Sequence, residues 1–472
     1  MKEYSLRQLS HGLNKGQWSS VDLIQMYLKR INQYDHSGPK INAIAEVNPD
    51  LYQWAYLLDE ERKSKGPRSI IHGIPIIIKD NIMTKDKMHT SASSIVLEDF
   101  YGPEDAFIIK KLRHAGAIIL GKANLSEFAY FMSFDDMPSG FGGRSGQVKS
   151  PYSKNIDPLG SSTGSAVSVA CNFIPVSIGT ETNGSLTAPA LMNSIQTIKP
   201  TMGMVSRSGI IPISHHQDIA GPMARTIDDL AIVMSIIHGY DDQDLSTHAI
   251  KERQFNFLKA TDLSVENKRL AFIRFTNMDY TDEEKHIEEE AKIIYQNAGV
   301  ETIDLEIESK HIPNFDTLIY DFKVDLNHFM DQYMKDYKVH SLKEIIEFNQ
   351  ADPDKRMHYG QSIFEAADQT SGTLTESAYH EKYQNNLDLA MLITKTMNAH
   401  KLDGCISVKR TGYAPIAGNP VVAMVAKALV DDQPRSLYII GNHFEDEIIL
   451  ALANLYEQAT NKRIAPNLDD LR

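Results

Sequence analysis

Cysteine is almost absent from this chain: Cys171 and Cys405 are the only two in 472 residues, too few for a disulfide framework, and a reducing compartment fits. Cys171 falls on an apolar helical pattern, where a buried, inert thiol is expected. Long apolar runs are also missing. None approaches a membrane span, and the opening MKEYSLRQLSHGLNKGQWSS lacks the apolar centre of a secretory signal. Positive charge is in deficit, with 48 Lys and Arg against 62 Asp and Glu. The resulting −14 would repel nucleic acid and anionic membrane at long range. There is no H-E-x-x-H, no Cys/His cluster with ligand spacing and no Walker phosphate loop, so neither a metal nor another cofactor is expected. What remains is a cytoplasmic, soluble protein, a monomer or homodimer, acting on small molecules or peptides. With 42% hydrophobic and 23% charged residues the composition is that of a packed globular protein, which makes a catalytic or binding role the default.

Apolar spacing predicts helices over 20–31 and 50–63, then a short buried strand over 74–78 that ends on Lys79. Functional side chains of open α/β sheets gather at such strand ends. Residues 104–121 read as helix, Gly116 stop and buried strand. The same alternation recurs to about residue 310, where Thr281 and Glu284 form a capping box and Gly299 ends the helix. Over 311–400 strand signals vanish and helical, charged segments take over; LDGCISV, SLYIIG and EDEIILALANLYEQAT then restore strands and a closing helix. The expectation is one α/β domain over 1–472, with N-terminal helices (1–65), a core (66–310), a helical excursion (311–400, clearest over 315–400) and a return to the sheet (401–472).

Two serine sites carry the candidate chemistry. GSSTG at 160–164 satisfies G-x-S-x-G, which makes Ser162 the nucleophile of an α/β-hydrolase-type esterase with a downstream histidine and acid. That motif requires a strand before it, and KSPYSKNIDPLG is a polar, proline-containing loop. The second site, IGTETNGSLTAPA, sends a strand over 175–178 into Gly179, Thr180, Asn183, Gly184 and Ser185. Small, flexible residues ahead of a serine let successive N–H groups point at one spot, as an oxyanion hole needs; a plain strand-ending turn is the competing reading.

Taken in order, IPIIIKDN, LGSSTGSA and GTETNGS resemble the core of the amidase signature family, with Ser161 and Ser185 separated by the family's interval of 24 residues. KKLRHAGAIILGKANLSEFA, IKPTMGMVSRSGIIPIS and GPMARTIDDLA extend the likeness, and FMSFDDMPSGFGGRSGQVKSPY, GTETNGS and DFKVDLNHFM look like its peptide amidase branch. The resemblance implies a large mixed β-sheet covered by helices on both faces. It implies hydrolysis of a linear carboxamide, with a C-terminal peptide amide as one candidate. Ser185 would be the nucleophile, Ser161 a bridging serine on a cis peptide bond and Lys79 the base. The N–H groups of Thr182, Asn183, Gly184 and Ser185 would form the oxyanion hole, with Ser162 in support and a bond from it to Lys79 as one option. Ser162 and Ser165 are otherwise assigned to turn and helix-start hydrogen bonding.

The chain departs from the family at Thr163 and Asn183, which replace glycines, and at Thr187, where many members carry arginine. Asn183 is tolerable because asparagine visits left-handed conformations. Thr187 weakens the alternative of the glutamine-hydrolysing component of a tRNA-dependent amidotransferase. Lys409 and Arg410 stand near the family's acyl-pocket segment, so substrate preference does not transfer.

Overall fold

The computed structural model describes residues 1–427 and 434–471. Its strands are β1 (Ile44–Val47), β2 (Pro75–Lys79), β3 (Ile118–Ala123), β4 (Phe141–Gly142), β5 (Gly146–Gln147), β6 (Val176–Glu181), β7 (Gln196–Lys199), β8 (Ile219–Ala224), β9 (Arg269–Phe275), β10 (Glu301–Ile307), β11 (Gly404–Ser407), β12 (Val421–Lys427) and β13 (Arg435–Gly441). Eleven of them form one sheet in the order β1-β3-β2-β6-β8-β7-β12-β13-β11-β9-β10, while β4 and β5 make a separate hairpin. The sheet is mixed. β2 runs parallel to β3 and β6, β9 runs parallel to β10 and β11, and the remaining pairs are antiparallel.

Every residue of β2 is buried, as a strand covered on both faces requires. Ile76 and Ile78 pack into one core with the helix Ile227–Ile237, whereas Ile77 packs into a second core with the helices Ser20–Tyr34 and Thr163–Ala170. The twofold alternation of a strand assigns Lys79 to the side of Ile77. The helix on that side begins two residues after Ser161.

Three chain segments converge at one edge of the sheet. The parallel strands β2 and β6 both finish there, and Glu181 at the end of β6 pairs with Ile219 at the start of β8. Lys79, Thr180 and Asp218 therefore meet although they are distant in sequence.

The excursion is helical, with Phe315–Tyr333 its longest element, and β11 to β13 then rejoin the sheet. Sequence spacing misses several helices, Leu6–Asn14 the first of them. The signal for Leu6–Asn14 is the capping box of Ser5 and Gln8, in which each side chain bonds the other's backbone N–H. Among the described residues no helix is long and apolar enough to cross a membrane.

Candidate active site

Lys79 is fully buried, and its ammonium is enclosed by protein groups. Nζ donates to Ser161 Oγ at 2.7 Å, to Thr180 Oγ1 at 2.9 Å and to the Thr180 carbonyl at 3.3 Å. Burial in low dielectric disfavours the charged form and pulls the lysine down to about 7, against the opposing pull of Asp218 and Glu181. Asn81 Nδ2 donates to the same Thr180 hydroxyl at 3.1 Å, so Asn81 orients a partner of the lysine. Asp80 instead braces its own loop: it accepts from the Ser91 N–H and hydroxyl and faces Arg144 at 3.6 Å and Lys122 at 4.0 Å.

Ser161 is buried, and the Gly160–Ser161 peptide bond is cis, as the resemblance implies. Ser162 departs from expectation in two ways. It sits at the N-cap position of the helix Thr163–Ala170 yet caps nothing with its side chain. Its hydroxyl instead donates to the Thr180 carbonyl at 2.9 Å and accepts the Thr180 N–H at 3.2 Å; it makes no bond to Lys79 among the described residues. Ser165 likewise donates to the Ile178 carbonyl and caps nothing. Both hydroxyls stitch the helix to β6, which packs close against it. Gly179 shows how closely: a Cβ there would stand 2.8 Å from Ser162 Oγ. The G-x-S-x-G reading fails on the same geometry, since residues 148–160 contain no strand and no histidine bonds Ser162 among the described residues.

Ser185 follows in a turn held from below. Glu181 Oε2 accepts from the N–H groups of Leu186 (2.8 Å) and Thr187 (3.0 Å) and from the Thr187 hydroxyl (3.2 Å), anchoring the helix Thr187–Met192. Thr187 thus uses its hydroxyl on Glu181. Thr182 Oγ1 donates to Asp218 at 2.6 Å, and the Ser185 carbonyl accepts the Ser162 N–H at 3.2 Å, tying the two serine turns together. The left-handed step falls on Gly184, at φ +100°, and not on Asn183. None of the N–H groups of Thr182, Asn183, Gly184 and Ser185 has a protein acceptor among the described residues.

A pocket opens beside this edge, walled by Thr180, Thr182, Ile211, Ile213, Asp218 and Phe329. Phe329 comes from the helical excursion, so that segment supplies part of the pocket wall. Burial raises Asp218 to about 6, opposed by the Thr182 hydroxyl and the N–H groups of Ile213 and Ser214 that it accepts. His215, which lines the pocket, places one possible ligand atom within 4.8 Å of one each from His216 and Asp321. They are already engaged: His215 with Asp325, His216 with Tyr379, and Asp321 with Ser214 and Tyr379. The trio locks the 214–216 turn onto the helix Phe315–Tyr333.

The Amidase family pattern matches residues 22–450. The chain belongs to the amidase family. The amidase is similar to the native peptide amidase of Stenotrophomonas maltophilia, with 34% identity, a TM-score of 0.92 and 99% of both chains covered. An amidase family protein of Bacillus anthracis superposes with a TM-score of 0.91 at 34% identity, covering 98% of this chain and 92% of that one. A probable amidase of Arabidopsis thaliana is 33% identical, with 99% of this chain and 92% of that one covered. The mixed sheet matches the fold of the peptide amidase structures, and the chain is an amidase enzyme.

Motif reading reaches Lys79, Ser161, Ser162 and Ser185. It misses Thr180, Asp218 and Glu181 as partners of the site. Asp218 carries no local signal at all, because only the β6–β8 pairing brings it there.

Proposed function

We propose that the amidase hydrolyses a linear carboxamide through an acyl-enzyme on Ser185, with Ser161 as proton relay and Lys79 as base. The observation that carries this reading is the 2.7 Å contact between Lys79 and Ser161, made by a lysine brought down to about 7. An ordinary lysine is protonated at neutral pH and cannot accept a proton. This one is about half neutral there, where a base is most effective.

Neutral Lys79 takes the Ser161 proton while Ser161 takes that of Ser185. Ser185 Oγ forms a bond to the carbonyl carbon, and the C=O π pair moves onto oxygen. The free N–H groups of Thr182 to Ser185 face that oxyanion; a donor of this kind is worth about 3–4 kcal/mol in the transition state. On collapse the C–N bond breaks, and the proton returns from Lys79 through Ser161 to the leaving nitrogen, which departs as ammonia or amine. Water then attacks the ester by the same relay and releases the carboxylate.

The pocket wall, which combines apolar side chains such as Ile211, Ile213 and Phe329 with polar ones such as Thr182 and Asp218, and the full-length likeness to a peptide amidase favour an amide at the end of a short peptide as substrate. The test is to label with a fluorophosphonate, map the modified peptide, and screen peptide amides, amino-acid amides, aryl amides and glutamine. Label on Ser185 with release of ammonia from a peptide amide is expected. Label on Ser162, with Ser185→Ala fully active, overturns the mechanism; turnover of glutamine alone turns the substrate reading toward the tRNA-dependent amidotransferase.

A further inference from the structure

The adjacent cations Lys409 and Arg410 have different fates. Lys409 Nζ is paired with both oxygens of Glu284, at 2.7 and 2.9 Å, and so fixes its loop to the helix Asp282–Asn297. Arg410 is exposed and has no carboxylate partner among the described residues. Its guanidinium lies over Gly184: a Cβ on that glycine would stand 2.5 Å from Nη1 and 2.9 Å from Cζ. The same loop covers the neighbouring residue, since a Cβ on Gly412 would meet the Asn183 amide at 3.3 Å. The charges of Arg410 and Glu181 both act on the buried phenol of Tyr438, which also interacts with the Ser436 hydroxyl.

An unpaired guanidinium therefore rests one residue from Ser185. A carbonyl attacked by Ser185 must come within about 3–3.5 Å of Oγ, which places substituents a few bonds from the scissile carbon near Arg410. The planar fork of a guanidinium matches a carboxylate in a paired, charge-assisted contact. On a chain of net charge −14, Arg410 sets one positive group against the turn that carries Ser185. We propose that Arg410 is a specificity-determining residue that selects amides bearing a carboxylate close to the scissile group, a reading that rests on Ser185 as nucleophile.

The experiment compares kcat/KM for the N-acetylated α-amides of glutamate, glutamine and lysine in wild type, Arg410→Met and Arg410→Glu. Wild type should prefer the glutamate amide over the lysine amide by about tenfold or more, the scale of one charge-assisted contact. Arg410→Met should level the series and Arg410→Glu should invert it. A series without charge preference in wild type overturns the proposal. So does an Arg410→Met variant that slows all three amides equally, since the guanidinium would then serve only to shape the Gly184 turn. A readout free of turnover uses glutarate, which should slow fluorophosphonate labelling of Ser185 in wild type and not in Arg410→Met; equal protection, or none in either, also overturns it. A wild-type Ser185 that never labels counts against the nucleophile assignment instead.

Discussion

Replacing Lys79 by methionine should abolish catalysis and, at neutral pH, stabilise the protein. The sign follows from proton linkage. Lys79 is brought down from the ordinary lysine value to about 7 by burial, so between pH 7 and 10.5 the unfolded chain holds a proton that the folded one lacks, and stability rises with pH across that window. Below pH 7 the full shift weighs against folding, about 5 kcal/mol, and most of it is still present at pH 7. Methionine removes that cost while keeping an unbranched side chain of similar size. It also deletes the three bonds to Ser161 and Thr180, worth about 2–3 kcal/mol together. The variant should therefore be more stable than wild type by about 2 kcal/mol at pH 7 and less stable by about 2 kcal/mol at pH 10, crossing near pH 9. At about 2 cal/mol/K per residue, each difference corresponds to roughly 2 °C in Tm. Thermal melts of both proteins at the two pH values read it, because the titrations of groups that do not interact with Lys79 cancel in the difference, and its neighbour Asp218, at about 6, titrates below the window. A variant less stable at both pH values, by an unchanging margin, refutes the reasoning. Activity should fall at least about 10³-fold, and wild-type kcat/KM should rise with pH through about 7 to a plateau.

Ser162→Ala should still be labelled by a fluorophosphonate at Ser185, while losing about 1–3 kcal/mol of stability because the Thr180 carbonyl and N–H lose a buried partner; denaturant titration with peptide mapping checks both. Glu181→Ala strips the acceptor from three donors at the start of the helix after Ser185, so turnover should drop at least about tenfold, with Glu181→Gln milder since one oxygen remains. Neither cysteine should react with a thiol reagent until the chain unfolds, since both are buried and burial pushes their thiols up, Cys405 to about 12; the time course of thiol release against unfolding measures this.

Local pattern carries much of the architecture. The apolar run of β2, the helix of residues 282–297 with its Thr281 capping box, and the helical stretch after residue 315 are visible because backbone propensity and burial act on neighbours in sequence. Motif order likewise makes Lys79, Ser161 and Ser185 legible together. Ser162 reads as a cap in the sequence because serine before a helix ordinarily bonds its own first turn. Which backbone lies within reach of a hydroxyl depends on packing, and here β6 is nearer.

The sequence by itself determined the alternation of strands and helices, the two serine turns and the lysine that ends a buried strand. Only the tertiary structure decided what that lysine is. Parallel β2 and β6 with antiparallel β8 bring Thr180 and Asp218 to its edge, and enclosure on every side removes the water that would keep it charged. Tertiary structure also separated Lys409, paired with Glu284, from Arg410, left open above Gly184. The reason is common to both: a residue's type and neighbours are written in the chain, whereas its dielectric surroundings and charge partners are set by segments that meet only in the fold.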